Sequence, residues 1–327
     1  MLLHPSTVLF YTTLLTSVVI TTSTNSWFIA WVGLEINLLA FIPLVVNKKN
    51  KYSVESALKY FLIQSLASIF IILASATSSS HDLSLLIVVM LLLKSGVAPS
   101  HQWMPAMVDG LSWPLFATLM TMQKMNPMIL TFFLLKTDYI YMFIILYIII
   151  SSAVGALGGL TQTSLRKIIA YSSIAHLAWM LATLTMSSWL WLTYFIIYAF
   201  VLMSLTFLLN HTQMTTLNHV SNMNKSYLSF IIAVSILSLG GLPPFTGFLG
   251  KLLAVQQLAA TPESFLLIPL LASAYLSLFF YARIMLTTLV LSASSSNSLN
   301  KIKETNSNLL TANLIGLLLP TVCMILL

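Results

Sequence analysis

Charged residues are scarce in this sequence. Asp, Glu, Lys and Arg together make up 6% of its 327 residues, and 58% of the residues are hydrophobic. A soluble globular domain carries about 25% charged residues. The composition therefore excludes a globular protein that exposes its whole surface to water.

Cysteine is nearly absent as well, because the sequence contains Cys323 alone. One thiol excludes an internal disulfide framework and an iron–sulfur cluster held by this chain, since such a cluster takes about four thiolates. The sequence also lacks HExxH, other Cys/His ligand spacings, a GxGxxG motif after a strand and a P-loop. We therefore expect this chain to bind no metal and no redox cofactor.

What fills the chain is a series of apolar segments, each roughly 20 residues long and separated from the next by a short polar break. That length lets an α-helix cross a bilayer. A β-barrel would instead show alternating segments of about 10 residues, and the run YIYMFIILYIII at 139–150 does not alternate. The sequence predicts an all-α polytopic protein embedded in a lipid bilayer.

Polar residues, prolines and glycines divide the chain into eleven predicted spans. They lie near residues 3–22, 26–46, 54–77, 82–106, 110–136, 139–160, 166–186, 188–210, 227–258, 263–291 and 308–326. The fourth and ninth spans contain internal Gly/Pro clusters, and the ninth is too long for one straight crossing. These two spans are predicted to be broken helices.

The basic residues of the connections lie almost entirely on one side, if the N-terminus and the even-numbered connections share that side. That side holds Lys48, Lys49, Lys51, Arg166, Lys167, Lys225, Lys301 and Lys303. The opposite side holds Lys136 alone. This bias predicts an N-terminus in a bacterial cytoplasm or a mitochondrial matrix, with the C-terminus opposite. The net charge of +7 is thus a topology signal, and no nucleic-acid partner is expected.

Several ionisable residues fall within the predicted spans. The cations are Lys59, Lys94, Lys124, Lys251 and Arg283. Glu55 and Lys59 lie near a span's end, where snorkelling and a functional role are both open. Glu35 and Lys124 lie mid-span, where an ionisable group costs several kcal/mol and indicates function. The alternative is a fixed ion pair that only specifies packing. One acid and three lysines spread over four spans, Glu35, Lys94, Lys124 and Lys251, make it the weaker interpretation.

The histidines and the arginine of the spans differ in what they could contribute. His101 and His176 lie near the predicted ion path and are candidate relay members, because histidine titrates near neutral pH. His81 and His211 lie near span ends and are interpreted as interfacial. Arg283 cannot usefully lose its proton, so it is interpreted as a fixed charge or a packing partner.

The two irregular spans share a pattern. LLLKSGVAPSHQWMP (91–105) and SLGGLPPFTGFLGKLL (238–253) each combine a lysine with helix-breaking residues. The predicted helix-break residues are Gly96, Pro99, Gly240, Gly241, Pro243, Pro244 and Gly247. Because the segments lie five spans apart, an odd number, they predict an inverted repeat of residues 1–136 and 139–291, followed by an extra helix at 308–326.

A broken helix at mid-depth has a physical consequence for a nearby lysine. Its free carbonyl and N–H groups need protein or a water-filled cavity to satisfy them. Burial disfavours the charged form of a lysine and a nearby carboxylate favours it, so Lys94 or Lys251 could switch between holding and releasing a proton. A chain of such groups would be a proton relay.

Five ordered motifs carry a family resemblance. They are WVGLEINLLAFIPL (31–44), KSGVAPSHQWMP (94–105), MQKMNP (122–127), GGLTQTSLRKIIAYSSIAH (158–176) and LSLGGLPPFTGFLGK (237–251). Together they resemble the subunit 2 family of mitochondrial NADH:ubiquinone oxidoreductase, respiratory complex I. This family is antiporter-like and similar to membrane subunits of Mrp-type cation/proton antiporters.

The resemblance implies a proton relay along a hydrated mid-membrane axis. Glu35 of GLEIN and Lys94 of LKSG would form its glutamate–lysine pair, Lys124 of QKMNP its central lysine and Lys251 of GFLGK its terminal lysine. After HQWMP the family often carries a glutamate, whereas this sequence has Ala106. A carboxylate role at that position is therefore in doubt, although Asp109 lies close enough in sequence to be a substitute.

The resemblance also implies a cellular setting and partners. It implies a multi-pass protein of the mitochondrial inner membrane, with a matrix N-terminus and an intermembrane-space C-terminus, in the eleven-span animal form. The partners would be other membrane subunits of complex I, and no homo-oligomer is expected. The activity would be that of an H⁺-translocating NADH:ubiquinone reductase, with FMN, iron–sulfur clusters and ubiquinone bound in other subunits.

Two other functions remain open from the residues alone. One is a stand-alone antiporter that exchanges protons for sodium or potassium along the same charged axis. The other is a structural scaffold whose polar groups only fix helix packing, with Gly155 and Gly159 as a close-contact face. The motifs and the lack of sizeable loops favour the proton-translocating subunit.

Overall fold

The computed structural model describes residues 5–46, 50–77, 81–135, 137–216 and 226–294. These residues are almost entirely helical, and within them β-structure is limited to one isolated bridge between Ser164 and Thr216. The predicted all-α class is confirmed. Some positions used in the sequence predictions lie outside the described residues, namely the span at 308–326 and Lys48, Lys49, Lys136, Lys225, Lys301, Lys303 and Cys323.

The helices follow one another with short connections. The α-helices are α1 (Pro5–Ser23), α2 (Trp27–Val45), α3 (Lys51–Ala76), α4 (His81–Ser95), α5 (Trp103–Met107), α6 (Trp113–Met120), α7 (Met122–Leu134), α8 (Asp138–Leu160), α9 (Leu165–Met186), α10 (Ser188–Thr212), α11 (Ser226–Gly240), α12 (Thr246–Ala259) and α13 (Leu267–Ser294). Short 3₁₀ segments occupy Val108–Gly110 and Pro262–Leu266. Each of the first ten predicted spans overlaps one helix or two consecutive helices.

Seven helical segments of the described chain are long and apolar enough to cross a membrane. They are Pro5–Ser23, Trp27–Val45, Lys51–Ala76, Asp138–Leu160, Leu165–Met186, Ser188–Thr212 and Pro262–Thr288. Two shorter apolar helices, Leu83–Ser95 and Ser229–Gly240, each end at one of the two predicted helix breaks. Large apolar side chains such as Phe28, Trp189 and Phe279 are exposed, as expected for surfaces that face lipid. The chain is a multi-pass membrane protein.

The first helix break lies at the end of α4. Gly96 adopts a left-handed conformation with a φ of +80°. Its N–H donates to the Leu93 carbonyl at 3.1 Å, and the Val97 N–H donates to the Leu92 carbonyl at 3.1 Å. These two bonds form a Schellman cap, the C-terminal cap that glycine makes with least strain.

The second helix break repeats the same cap at the end of α11. Gly241 has a φ of +76°. Its N–H donates to the Ser238 carbonyl at 3.0 Å, and the Leu242 N–H donates to the Leu237 carbonyl at 3.5 Å. Pro243 and Pro244 follow, and α12 begins at Thr246. The prediction of two broken helices is confirmed.

A third interruption separates α6 from α7 at Thr121, where a single continuous span had been predicted over 110–136. Thr121 has φ −115° and ψ −78°. Both its N–H and its hydroxyl donate to the Ala117 carbonyl, at 3.1 and 2.8 Å. A threonine hydroxyl that bonds to the carbonyl four residues earlier competes with the helical ladder and bends it. The interruption therefore arises without glycine or proline at the break itself.

The described residues form two compact units, divided between Ser151 and Ser152. In the first unit, α2, α3, α4 and α7 share an apolar core. Its members are Ala30, Leu34, Ile71, Ala74, Ile87, Leu91 and Leu130. In the second unit, α9 is the most enclosed of the candidate membrane helices, with 89% of its apolar window buried. The inverted repeat over 1–136 and 139–291 stays a prediction.

Close approach of α12 to the end of α11 depends on Gly247. A Cβ atom at this position would overlap the Ser238 carbonyl oxygen, a backbone atom that cannot turn aside. We therefore expect Gly247→Ala to destabilise the protein by about 1–3 kcal/mol or more, the usual cost of overpacking. Thermal denaturation of the detergent-solubilised protein measures this effect.

Gly240→Ala is the matched control for this change. A Cβ at Gly240 would meet Cδ2 of Leu278 at 2.8 Å, and the end of a leucine side chain can shift. The control should therefore lower the melting temperature less than Gly247→Ala. Equal melting temperatures for the two variants would contradict the proposed close approach.

Candidate functional site

The first unit holds a glutamate and a lysine on neighbouring helices. Glu35 lies mid-way along α2, and its Oε1 accepts a hydrogen bond from the Ser68 hydroxyl of α3. Lys94 lies in the last turn of α4 and is 5% exposed. The two side chains lie near enough for their charges to interact, but within the described residues no ion pair of 4.0 Å or less joins them. The predicted glutamate–lysine pair therefore stays a prediction.

The break after α4 leaves carbonyl groups that side chains satisfy. Gln64 Nε2 of α3 donates to the Lys94 carbonyl at 3.2 Å. Trp103 Nε1, at the start of α5, donates to the Leu93 carbonyl at 3.0 Å. The break is therefore enclosed in protein at the position of the buried lysine. A cation near this helix end also gains from the negative end of the helix dipole.

Lys124 lies in the first turn of α7, just after the interruption at Thr121, and is 1% exposed. Its neighbours in sequence are held by other helices. Gln123 Nε2 donates to Asn37 Oδ1 of α2 at 3.1 Å, and Asn126 Oδ1 accepts from the Thr21 hydroxyl of α1 at 3.0 Å. The amide Nδ2 of Asn126 is buried without a hydrogen-bond partner. The lysine therefore lies in a rigidly held polar segment.

In the second unit, Lys251 of α12 reaches back to the second helix break. Its Nζ donates to the Gly240 carbonyl at 2.7 Å, and the residue is 8% exposed. A Cβ at Gly241 would lie 2.9 Å from Cδ of Lys251. A glycine is therefore favoured at position 241 for two reasons. Its φ is positive, and a larger side chain would obstruct the side chain of Lys251. Gly240, Gly241 and Lys251 form one local site.

His176 of α9 lies in the same unit beside a tyrosine cluster. Its Nδ1 lies 2.9 Å from the Tyr194 hydroxyl, and its ring centroid lies 5.1 Å from that of Tyr198. The three side chains help to line a cavity of ≈ 10 Å³ that also touches Ser238 and Gly247 at the break. This volume is about the minimum that holds one water molecule. His176 therefore lies close to the broken helix of its unit.

Other residues chosen from the sequence lie in less enclosed places. His101 is half-buried in the break after α4, where its Nδ1 lies 3.1 Å from the Pro99 carbonyl. Ala106 and Asp109 are both exposed. Glu55 and Lys59 form an exposed i,i+4 ion pair at 2.6 Å, as snorkelling end residues would.

Arg283 of α13 binds the C-terminal end of α8, which we call its bracing role. Its two terminal nitrogens donate to the carbonyls of Leu160 and Gln162, each at 2.9 Å. These carbonyls lie at and just after the end of α8, where helical partners run out. The contacts agree with the interpretation of Arg283 as a packing partner.

As for metal binding, the described residues contain no group of three or more His, Cys, Asp or Glu side chains that could hold an ion.

The sequence matches a protein family over most of its length. That family is described as NADH:quinone oxidoreductase/Mrp antiporter, TM, and it matches residues 24–279. The chain is 42% identical over 289 residues to NADH-ubiquinone oxidoreductase chain 2 of Anopheles gambiae, covering 84% of both proteins. It is 40% identical over 326 residues to the protein of the same name from Aedes aegypti, covering 95% of this chain and 94% of the relative. The chain belongs to this family.

Solved structures share the fold of this NADH:quinone oxidoreductase/Mrp antiporter family member. A chain of respiratory complex I from Thermus thermophilus with bound aureothin matches with a TM-score of 0.76 at 23% identity, covering 95% of this chain and 78% of that chain. A chain of the Mrp complex from Dietzia sp. DQ12-45-1b matches with a TM-score of 0.74 at 15% identity, covering 90% and 65%. At these identities the likeness shows the fold alone. The resemblance predicted from the five motifs is confirmed.

Three polar residues of the site had not been selected from the sequence of this family member. Tyr60, Gln64 and Ser68 lie four residues apart on α3 and are buried. Their spacing in the segment YFLIQSLAS was a visible signal, because polar residues at this interval share one helix face. Their partners depend on the tertiary arrangement, which the sequence alone does not give.

The role of Arg283 in this family member can be tested by substitution. We expect Arg283→Leu to destabilise the protein by about 1.5–3 kcal/mol for each lost charge-assisted hydrogen bond, because the two carbonyls lose their donor. Arg283→Lys should give an intermediate loss, since one ammonium group lacks the fork that spans both oxygens. Thermal denaturation in detergent provides the measurement.

Lys59→Leu serves as the control for the loss of a positive charge. Its exposed ion pair should contribute about 0–1 kcal/mol. If Arg283→Leu were no less stable than Lys59→Leu, the bracing role would be wrong.

Proposed function

We propose that this chain is a proton-translocating membrane subunit of mitochondrial respiratory complex I. The name and coverage of its relatives support this assignment, since NADH-ubiquinone oxidoreductase chain 2 of Aedes aegypti aligns with 95% of the chain. Oxidation of NADH and reduction of ubiquinone, with the FMN and iron–sulfur clusters they need, would take place in other subunits. The chain would work among other membrane subunits of the complex.

The observation that carries the proposal is the burial of three lysines in apolar helices, one of them beside a glutamate. Lys94, Lys124 and Lys251 are all at most 8% exposed. Ionisable groups at membrane depth are costly and are typical of proton and ion pathways. We propose that Glu35 and these lysines form the relay, with His176 and His101 as candidate additional members.

Proton transfer through such a relay follows from the charges of its members. A lysine ammonium that gives a proton to a neighbouring base is left as a neutral amine, which can then accept the next proton. The Glu35 carboxylate favours the ammonium form of Lys94. When Glu35 itself takes up a proton this attraction ends, and Lys94 releases its proton more readily.

The proposed location is the inner mitochondrial membrane, with the N-terminus in the matrix and the C-terminus in the intermembrane space. The uneven distribution of Lys and Arg between the predicted connections supports this orientation. A second candidate function is a stand-alone cation/proton antiporter, because the same buried charges would serve it and the description of the family includes Mrp antiporters. A third is a scaffold whose polar groups only fix packing.

The relay can be tested in the assembled complex reconstituted into vesicles. Glu35→Gln and Lys124→Met should each lower the number of protons moved per electron, because each removes a group that takes up and releases a proton. Lys59→Met is the matched control, since it removes an exposed lysine and should leave the ratio unchanged. The measurement is vesicle acidification against NADH oxidation.

The outcome also separates the three functions. Normal pumping in assembled complexes with either relay substitution would rule out the relay assignment, whereas loss of assembly with normal pumping in what remains would favour the scaffold. Isolation of the chain alone or as a simple homo-oligomer would favour the antiporter. Isolation with many membrane partners and a flavin-containing, iron–sulfur-containing arm would favour the complex I subunit.

A further inference from the structure

One face of α3 donates hydrogen bonds to Glu35, to the backbone carbonyl of Lys94 and to Gln123, the residue before Lys124. Tyr60, Gln64 and Ser68 are buried, at 2%, 5% and 0% exposure. They follow one another at one-turn intervals, so their side chains point to the same side of the helix. Each donates a hydrogen bond to a different helix. We call these three residues the α3 polar face.

The first contact of the α3 polar face is with Gln123, the residue that precedes Lys124 on α7. The Tyr60 hydroxyl donates to Gln123 Oε1 at 2.8 Å, and Gln123 is the residue before Lys124. Gln123 Nε2 donates in turn to Asn37 Oδ1, two residues after Glu35 on α2. A continuous hydrogen-bonded chain thus links α3, α7 and α2.

The ring of Tyr60 is fixed by its neighbours. Its centroid lies 5.1 Å from that of Phe41 on α2 and 6.0 Å from that of Trp103 at the first helix break. Trp103 itself donates to the Leu93 carbonyl of α4. The hydroxyl of Tyr60 is therefore held by packing from two further helices.

The other two contacts reach the glutamate–lysine site directly. Gln64 donates to the backbone carbonyl of Lys94 at 3.2 Å. Ser68 donates to Glu35 Oε1. Because Gln64 and Ser68 lie one turn apart on the same helix, a shift of α3 at one of them moves the other. The backbone of Lys94 and the carboxylate of Glu35 are thus anchored to the same face.

Ser68 has two acceptors for a single hydroxyl proton. Besides Glu35 Oε1, its Oγ lies 2.8 Å from the Ser65 carbonyl of its own helix. An ionised carboxylate can only accept, whereas a protonated carboxyl group can also donate. When Glu35 takes up a proton, it can donate to the Ser68 oxygen, and the Ser68 hydroxyl is then free to donate to Ser65. The only covalent bond formed is the O–H bond of Glu35 to the incoming proton. Ser68 keeps its own O–H bond and only changes its acceptor.

We propose that Tyr60, Gln64 and Ser68 are positioning residues that couple the protonation of Glu35 to Lys94 and Lys124, with Ser68 as the residue that responds to the charge of Glu35. This inference rests on the proton relay proposed above. The coupling runs through one helix and four hydrogen bonds. It needs no direct contact between the carboxylate and Lys124.

The experiment compares two serine substitutions on the same helix in the assembled complex. Ser68→Ala removes the hydrogen bond to Glu35, while Ser65→Ala removes a partly exposed hydroxyl that donates only to the Leu62 carbonyl within α3. Ser68→Thr keeps a hydroxyl at the site. Two quantities are measured: protons moved per electron in vesicles, and the infrared carboxyl band of Glu35, identified as the band lost in Glu35→Gln.

Ser68→Ala should lower the proton-to-electron ratio and shift the Glu35 band to higher frequency, because the carboxyl group loses a hydrogen bond. Ser65→Ala should change neither quantity, and Ser68→Thr should restore both toward the unsubstituted values. A second variant, Gln64→Met, should lower the ratio without shifting the band, since it releases the Lys94 backbone but leaves Ser68 in place.

Two results would overturn the inference. One is a Ser68→Ala complex that matches Ser65→Ala in both quantities. The other is an unchanged proton-to-electron ratio in both Ser68→Ala and Gln64→Met, even if the Glu35 band shifts in Ser68→Ala. If Ser68→Ala fails to assemble, the ratio of Gln64→Met decides. The underlying relay is judged separately by Glu35→Gln: when that variant pumps normally the relay itself fails, and when it does not, only the role of the α3 polar face is at stake.

Discussion

Each backbone carbonyl and N–H group in the hydrocarbon layer has to find a partner within the protein, because lipid offers none. This constraint is strict where a helix stops in mid-membrane. At Gly96 and Gly241 the chain meets it with the same Schellman cap, in which two N–H groups return to the last turn. Side chains supply the remaining donors, Gln64 and Trp103 at the first break and Lys251 at the second.

The same requirement explains why lysines accompany the breaks. The last carbonyl groups of a helix form the negative end of its dipole, which favours a cation. Lys94 lies in the last turn of α4, and the ammonium group of Lys251 binds the final carbonyl of α11. Each break thus stabilises a charge that bare hydrocarbon would reject. Lys251 in turn needs a small residue beside it, because a Cβ at Gly241 would lie 2.9 Å from its Cδ.

How much of this arrangement could be predicted depends on whether a feature is local. Gly96 and Gly241 could be predicted as breaks, because helix-breaking residues stand out in an apolar span. The interruption at Thr121 could not, because it depends on a hydroxyl that turns back to Ala117, and many threonines in helices make similar bonds without a break. Glu35 and Lys94 could be named from their types, whereas the attraction between them depends on how α2, α3 and α4 pack.

The same limit applies to the polar residues around the site. Gln123 and Asn126 flank Lys124 in sequence, but the sequence does not reveal that their amides bind Asn37 and Thr21 on distant helices. Such bonds join residues 86 and 105 positions apart. A periodic spacing can show that a helix face is polar. It cannot show which helix that face will contact.

The two units hold their lysines in physically different ways. Lys94 lies near the Glu35 carboxylate, a group whose charge disappears when it takes up a proton. Lys251 instead binds a backbone carbonyl, whose dipole stays the same at every pH. Protonation of Glu35 can therefore change the environment of Lys94, whereas the bond of Lys251 to Gly240 changes when Lys251 itself loses its proton or when the broken helix or the lysine side chain moves. In a relay built from both, the first unit can respond to the charge of a neighbouring carboxylate, and the second can respond through the charge of its own lysine and the geometry of its helix break.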